Sequence, residues 1–383
     1  MNVLYVITSL NKGVGGHFYS LKTIVENLKS SNINPTVVCI GNSPIIESGD
    51  FTKYFFSIHL KISKIKTKIE SLMIKHKIEL IHSFDFIAFN YIRGLESPHL
   101  QTKCGGPYNR FIPNNKYITL FSSENLLDYT SRRKFRNTQF ELIPNRVTNF
   151  CVDNHRVQLL KKQINYNPEN KYILRICRIS KEYKKSILQG YELFGKLTEL
   201  GFKCKFVVIG GVYDKNIYEL IKKECPEIIW LTDKSFTYNA KELIDFCDIY
   251  LGTGRGVMEA TRCNKLIMVS TNNKKLPALL DQNNFTDFFD VNFSQRLNVN
   301  INEYQLLNTL VKILNSEFNK NKLFRFYGEM YDEHFNIENG TKKYLKLYNR
   351  VINEYRGGKI TLDLIYKIEY MVYHKYLLAR YRK

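Results

Sequence analysis

Within the first forty residues, apolar runs alternate with a helical stripe. Residues 3–8 form a near-continuous apolar run, residues 18–30 carry apolar positions three and four apart, and residues 36–40 form a second short run. A glycine-rich turn at 13–16 separates the first run from the stripe. Run, stripe and run predict a βαβ unit of a buried parallel sheet. Further strands are predicted at 54–59, 80–83 and 117–122, with a basic helix at 61–76. In that helix Ile62, Ile65, Ile69 and Met73 recur at helical spacing, which leaves its lysines mainly on the solvent face.

Near Asn145 the pattern changes. Residues 142–147 read as a last strand turning into a connector, and 165–170 as a polar, proline-containing break. A second series then begins, with strands predicted at 172–177, 204–210, 228–231, 249–252 and 266–269. Helices are predicted between them at 187–200, 216–223, 240–246 and 257–262. Such regular alternation is that of a doubly wound α/β sheet. With 383 residues the chain exceeds the roughly 250 to 300 at which single cores stop growing, so two α/β domains are predicted. Their predicted bounds are 1–160 and 161–335. Residues 336–383 follow, holding a helix at 342–355 and a basic amphipathic tail.

Composition agrees with a folded, globular protein: 44% of residues are hydrophobic and 14% aromatic. The net charge of +21, from 57 Lys and Arg against 36 Asp and Glu, calls for an anionic partner such as nucleic acid, anionic lipid or a nucleotide-sugar. No zinc-finger spacing, RNP-like motif or helix-turn-helix is evident, so nucleic acid is not expected. The 8 cysteines, Cys151 among them, include no C-x-x-C pair, which argues against a zinc site or a disulfide framework and fits a reducing cytoplasm. The first residues read as a buried strand rather than a signal peptide, and no apolar run approaches the roughly 20 residues that span a bilayer.

Ligands of open parallel sheets bind beyond the carboxyl ends of the strands, so the turns there have the first claim on function. Residues 13–16, with Gly15 and Gly16, permit close approach of a phosphate to backbone at a helix start, though a tight turn needs glycine for steric reasons as often. Arg178, Lys181, Lys184 and Lys185 cluster after the strand at 172–177, where cations would neutralise a diphosphate leaving group; a solvated basic loop is the alternative. Arg178 lies directly at the strand's end. In Gly252-Thr253-Gly254-Arg255-Gly256-Val257-Met258-Glu259, backbone amides at Arg255, Gly256 and Val257 would hold phosphate oxygens. Glu259 would accept from ribose hydroxyls, or would merely favour the helix start.

In this order and spacing the turns resemble the retaining GT-B glycosyltransferases of the family 4 type, which include many capsule and O-antigen enzymes. The resemblance spans roughly residues 3–270 and rests on Gly15-Gly16, Ile143-Pro144-Asn145, Arg178-Ile179-Ser180, and Gly252-x-Gly254 with Glu259-Ala260. It implies two Rossmann-like domains facing a central cleft, with the nucleotide between them. It further implies transfer of a sugar from a nucleotide-sugar to a glycan or lipid-linked acceptor with retention, no cofactor and no metal. Glu259 would grip the ribose, Arg178 and a nearby lysine the diphosphate, and the amides around Arg255 to Val257 the phosphates or donor sugar.

Three departures from the family pattern stand out. Leu251 replaces the first glutamate of the E-x7-E element. Tyr183 stands where a lysine is expected, leaving Lys184 as its substitute. The histidine often found at the end of a first-domain strand is replaced within Thr102-Lys103-Cys104-Gly105-Gly106-Pro107, a segment that lines the cleft or forms a plain loop. His17, His82 and Lys103 are candidate acceptor contacts; Asp85 and Glu124 rank no higher.

In such folds the helix at 342–355 would cross back onto the first domain, and the tail after it has apolar Ile365, Ile368, Met371, Val372, Tyr376 and Leu377 at roughly helical spacing, with Lys367, Lys375, Arg380, Arg382 and Lys383 as cations. It suits an anionic membrane surface, where each cation contributes about 1 kcal/mol, or packing against protein. The expected setting is the cytoplasm, with attachment to the inner face of the plasma membrane where the acceptor is lipid-linked. A catalytically weak nucleotide-sugar-binding subunit is the second reading, and a polyanion-binding protein the third.

Overall fold

The computed structural model describes residues 1–10, 16–42, 44, 51–109, 112–150 and 152–358, and in the tail 368, 371–373, 375–376 and 379. Gly15 and the turn around it, Cys151, and the tail residues Ile365, Lys367, Leu377, Arg380, Arg382 and Lys383 lie outside the described residues.

The chain divides into two compact units. The first holds β1 (Asn2–Ser9), α1 (Gly16–Lys29), β2 (Asn34–Gly41), β3 (Thr52–Ser57), α2 (Ile62–Lys75), β4 (Leu80–Ser83), α3 (Phe86–Ile92), β5 (His99–Lys103), β6 (Tyr117–Leu120), α4 (Ser123–Thr130) and β7 (Gln139–Leu142). Its seven-stranded sheet runs β3-β2-β1-β4-β5-β6-β7, and every pairing is parallel. Alternation along β1 sorts the core into two layers. Val3, Tyr5 and Ile7 pack with Leu21, Ile24 and Leu28 of α1. Leu4 and Val6 pack with Ile65 and Ile69 of α2 and with α3. The stripe read from α2 is thus the face it buries, with Ile62 and Met73 at its margin.

The second unit holds α5 (Asn154–Gln163), β8 (Lys171–Ile176), α6 (Lys184–Glu199), β9 (Cys204–Ile209), α7 (Lys215–Glu224), β10 (Ile229–Leu231), α8 (Lys234–Thr237), β11 (Ile249–Gly252), α9 (Arg255–Ala260), β12 (Leu266–Val269), β13 (Ala278–Leu279), α10 (Phe285–Asp290), α11 (Glu303–Leu314) and α12 (Glu317–Met330). Its sheet runs β10-β9-β8-β11-β12-β13, parallel except for β13. Asp153 and Asp214 start α5 and α7 by accepting from Arg156 and Ile217 amides, filling donors that a helix start leaves unpaired. The chain then returns to the first unit as α13 (Ile337–Asn353), which packs on α1.

The bound expected at 160 falls earlier, after Arg146, whereas the one expected at 335 falls at Asn336. The first unit ends at Arg146, because α5 belongs to the second. There Arg156 pairs with Glu242 at 2.7 Å and donates to the carbonyls of Ser235 and Tyr238. From Ile337 onward the chain belongs to the first unit, where α13 is the helix expected to cross back and buries Tyr344, Leu347, Tyr348 and Val351 in that unit's core. Sequence periodicity marks elements and not their partners.

Candidate functional site

Each sheet has a point where successive connections leave in opposite directions, and a crevice opens there beyond the carboxyl ends of the two strands. In the second unit these strands are β8 and β11, which pair side by side. The turn carrying Arg178 and the turn carrying residues 252–256 are therefore neighbours, since each leaves the carboxyl end of one of them.

Arg178 is half-buried. Its guanidinium lies between two aromatic rings, 5.6 Å from Tyr183 and 5.7 Å from Tyr213, and Nη2 donates to the Tyr183 hydroxyl at 3.5 Å. Among the described residues no carboxylate stands within ion-pair distance of it. Cation–π contacts with two rings hold the fork in place while leaving its charge for an anion.

Lys184, expected to replace the missing lysine, is engaged by a carboxylate of its own unit. It lies in the first turn of α6 and pairs with Glu224 of α7 at 3.4 Å. Lys185 donates to the Asn272 carbonyl, beyond β12, and Lys181 is exposed. The cation beside Tyr183 is instead Arg175, inside β8, its guanidinium 5.7 Å from the Tyr183 ring. Arg175 is 1% exposed. Its Nε donates to Ser186 at 3.1 Å, Nη1 to the Leu251 carbonyl at 3.2 Å and Nη2 to the Thr253 hydroxyl at 3.0 Å. It joins the start of α6 to the turn after β11. The only signal in the sequence was a charge breaking the apolar run Tyr172-Ile173-Leu174-Arg175-Ile176.

The turn after β11 is tight. Gly254 has φ +54°, which L side chains rarely adopt, and its amide donates to the Phe293 carbonyl at 2.9 Å. The amides of Gly256 and Val257 were expected to face phosphates. They donate instead to the carbonyls of Thr253 and Gly254, at 3.2 and 3.1 Å, because the backbone closes on itself as the short α9 begins. Glu259 accepts from Arg255 Nε at 2.9 Å, one helical turn away, with both side chains about seven-eighths buried. Its carboxylate lies on α9 beside the crevice and is engaged by its own helix. The Leu251 side chain is fully buried, close to Gly190 of α6, so no group there replaces the absent glutamate.

Gln189 of α6 completes the frame. Its amide oxygen accepts from the Ser270 hydroxyl at 2.5 Å and its nitrogen donates to the Lys274 carbonyl at 2.8 Å, so α6 is also tied to the loop after β12.

In the first unit Gly16 opens α1 and is exposed, with space around its Cα. His17 is half-buried and its Nε2 donates to the Thr8 carbonyl at 3.2 Å. Lys103 turns back on its own loop, donating to the carbonyls of Cys104 and Gly105 at 2.8 Å each and of Gly106 at 3.3 Å. Asp85 accepts from the Thr8 amide and hydroxyl and caps α3. Ser20 donates to Asn145 at 2.8 Å, so the Ile143-Pro144-Asn145 segment ties the connector to α1.

His82 is not an acceptor contact. It is fully buried, with Nδ1 2.7 Å from the Tyr348 hydroxyl and Nε2 2.7 Å from the Thr102 hydroxyl, and burial holds its pKa well below the usual histidine value. Its place in a strand reads the same in sequence whether it points to a helix or to open space; here it points to α13.

Among the described residues no three His, Cys, Asp or Glu side chains are grouped as a metal ion would need, and no helix is long and apolar enough to cross a membrane.

No protein-family profile and no curated protein matches the sequence. Solved structures do match. A glycosyltransferase from Rickettsia africae ESF-5 aligns over 92% of this chain and 99% of its own, with 15% identity and a TM-score of 0.64. Anabaena Alr3699/HepE, solved in complex with UDP-glucose, aligns over 91% and 100%, with 11% identity and a TM-score of 0.60. The UDP-GlcNAc 2-epimerase from Methanocaldococcus jannaschii aligns over 91% and 100%, with 13% identity and a TM-score of 0.53. Identities this low speak for fold alone, and the fold they establish is that of the GT-B proteins, two Rossmann-like α/β units in one chain.

Proposed function

We propose that this protein is a glycosyltransferase that moves a sugar, with retention and without a metal ion, from a nucleoside-diphosphate sugar to a glycan or lipid-linked acceptor of a bacterial surface polysaccharide. The observation that carries the proposal is the pairing of β8 with β11, which sets Arg178 next to the turn leading to Glu259 at the sheet's switch point. As the sugar leaves, negative charge develops on the diphosphate. A guanidinium already held by cation–π contacts with Tyr183 and Tyr213 meets that charge with little reorganisation. Glu259, released from Arg255, would accept from the ribose hydroxyls. The fold is shared by an epimerase as well as by transferases, so it supports handling of a nucleotide-sugar more strongly than it supports transfer.

The basic balance of the chain supports an anionic surface as a further partner. Ile368, Met371, Val372 and Tyr376 of the tail are each at least half exposed.

The test is a titration of UDP-, GDP- and CMP-sugars by calorimetry, followed by an assay for released nucleotide with and without glycan acceptors. Binding with slow donor hydrolysis or transfer is expected. Binding with neither would favour a catalytically weak partner subunit, the reading that the buried Leu251 supports; binding of none would sink both.

A further inference from the structure

Arg175 presents an electrostatic problem that the packing around it does not solve. A guanidinium stays protonated at any physiological pH, and burying one without a counter-charge is costly. Its hydrogen-bond partners, the Ser186 hydroxyl, the Leu251 carbonyl and the Thr253 hydroxyl, are all neutral. The Cys177 thiol beside it is pushed up by burial and brings no negative charge. Among the described residues no carboxylate lies within ion-pair distance of Arg175, and the nearest charged neighbour across the Tyr183 ring is another cation, Arg178. Two guanidiniums thus flank one tyrosine at the switch point. The lysines of the same segment are engaged elsewhere, Lys184 with Glu224 and Lys185 with the Asn272 carbonyl.

We propose that Arg175 is a positioning residue of the diphosphate site, holding the Thr253 turn against the start of α6 and setting beneath the crevice a positive charge that the ligand's diphosphate balances. The proposal rests on the reading of that crevice as a nucleoside-diphosphate site. It assigns to a strand residue the second cation that the sequence led one to seek in Lys184.

The experiment is calorimetry on the full chain with UDP, GDP and CDP, each compared with its monophosphate, for the wild type and for Arg175→Met, Arg175→Lys and Thr253→Val. Wild-type protein should prefer the diphosphate. Arg175→Met should weaken diphosphate binding by about tenfold to a hundredfold, through loss of the buried charge and of the Thr253 turn's anchor, and the monophosphate by much less. Arg175→Lys, which keeps the charge, should retain most of the diphosphate preference. Thr253→Val should cost about threefold to tenfold, and it decides the matter if Arg175→Met does not fold, as judged from Trp230 fluorescence in the same unit. Equal losses for mono- and diphosphate in a folded Arg175→Met protein, or no loss in Thr253→Val, would overturn the proposal and leave Arg175 as packing. A wild-type protein that binds no nucleoside diphosphate would overturn the functional reading itself, and this inference with it.

Discussion

Acid should unfold the first unit before the second, because the first carries two buried histidines that must stay neutral. His99 lies against the Phe89 ring at 5.3 Å with its Nε2 2.9 Å from the Ser83 hydroxyl, and burial brings its pKa from 6.5 down to about 3. His82, among Tyr5, Phe84, Tyr344 and Tyr348, is held well below 6.5 by burial and by the nearby His99. The unfolded chain takes up a proton near pH 6.5 that neither native ring accepts. Stability is therefore complete above pH 6.5 and falls by about 1.4 kcal/mol per pH unit for each ring below it, until the native ring itself protonates. At pH 5 this amounts to about 2 kcal/mol per ring, about 4 kcal/mol together, against a typical total of about 5–15 kcal/mol. Urea unfolding at pH 7 and pH 5 measures the loss. Far-UV circular dichroism follows both units, whereas Trp230, the single tryptophan, reports the second alone. The dichroism midpoint should drop well ahead of the fluorescence midpoint. A His99→Gln variant, with one titrating ring removed, should lose about half as much between the two pH values. Equal losses in wild type and variant, or two midpoints that move together, would refute the reasoning.

Three other outcomes follow from the site and its frame. Arg178→Ala should lower turnover by about a hundredfold or more, as removal of a preorganised group facing developing charge does, and unchanged kinetics would remove Arg178 from the site. Glu259→Ala should weaken nucleotide binding and also lower the Trp230 unfolding midpoint, since it takes the carboxylate from the largely buried Arg255; a nucleotide affinity equal to wild type in the folded protein would reduce Glu259 to a partner of Arg255. Gly210→Ala should destabilise the second unit by more than about 2 kcal/mol, since its Cβ would fall 1.7 Å from the Cys177 carbonyl oxygen, and a Trp230 midpoint within error of wild type would contradict that packing.

The order of elements was legible from the chain because it is set by local periodicity. The strands at 80–83, 249–252 and 266–269 have the bounds predicted for them, and α2 buries the stripe that its spacing marked. The two-unit α/β class follows from the same local signals. Partnership is not local, and there the expectations failed. Lys184 and Lys185 stand one residue apart from Tyr183 and two from it, yet the helix that begins there rotates them toward Glu224 and Asn272 and away from the ring. His82 sits in a strand like any candidate ligand, but α13, more than 250 residues later, brings Tyr348 onto it. Arg175 was read as an ordinary strand residue; only the pairing of β8 with β11 sets its guanidinium under Thr253. Which side chain meets which is settled by contacts across long sequence separations, whose free energy exists only once the sheet has closed.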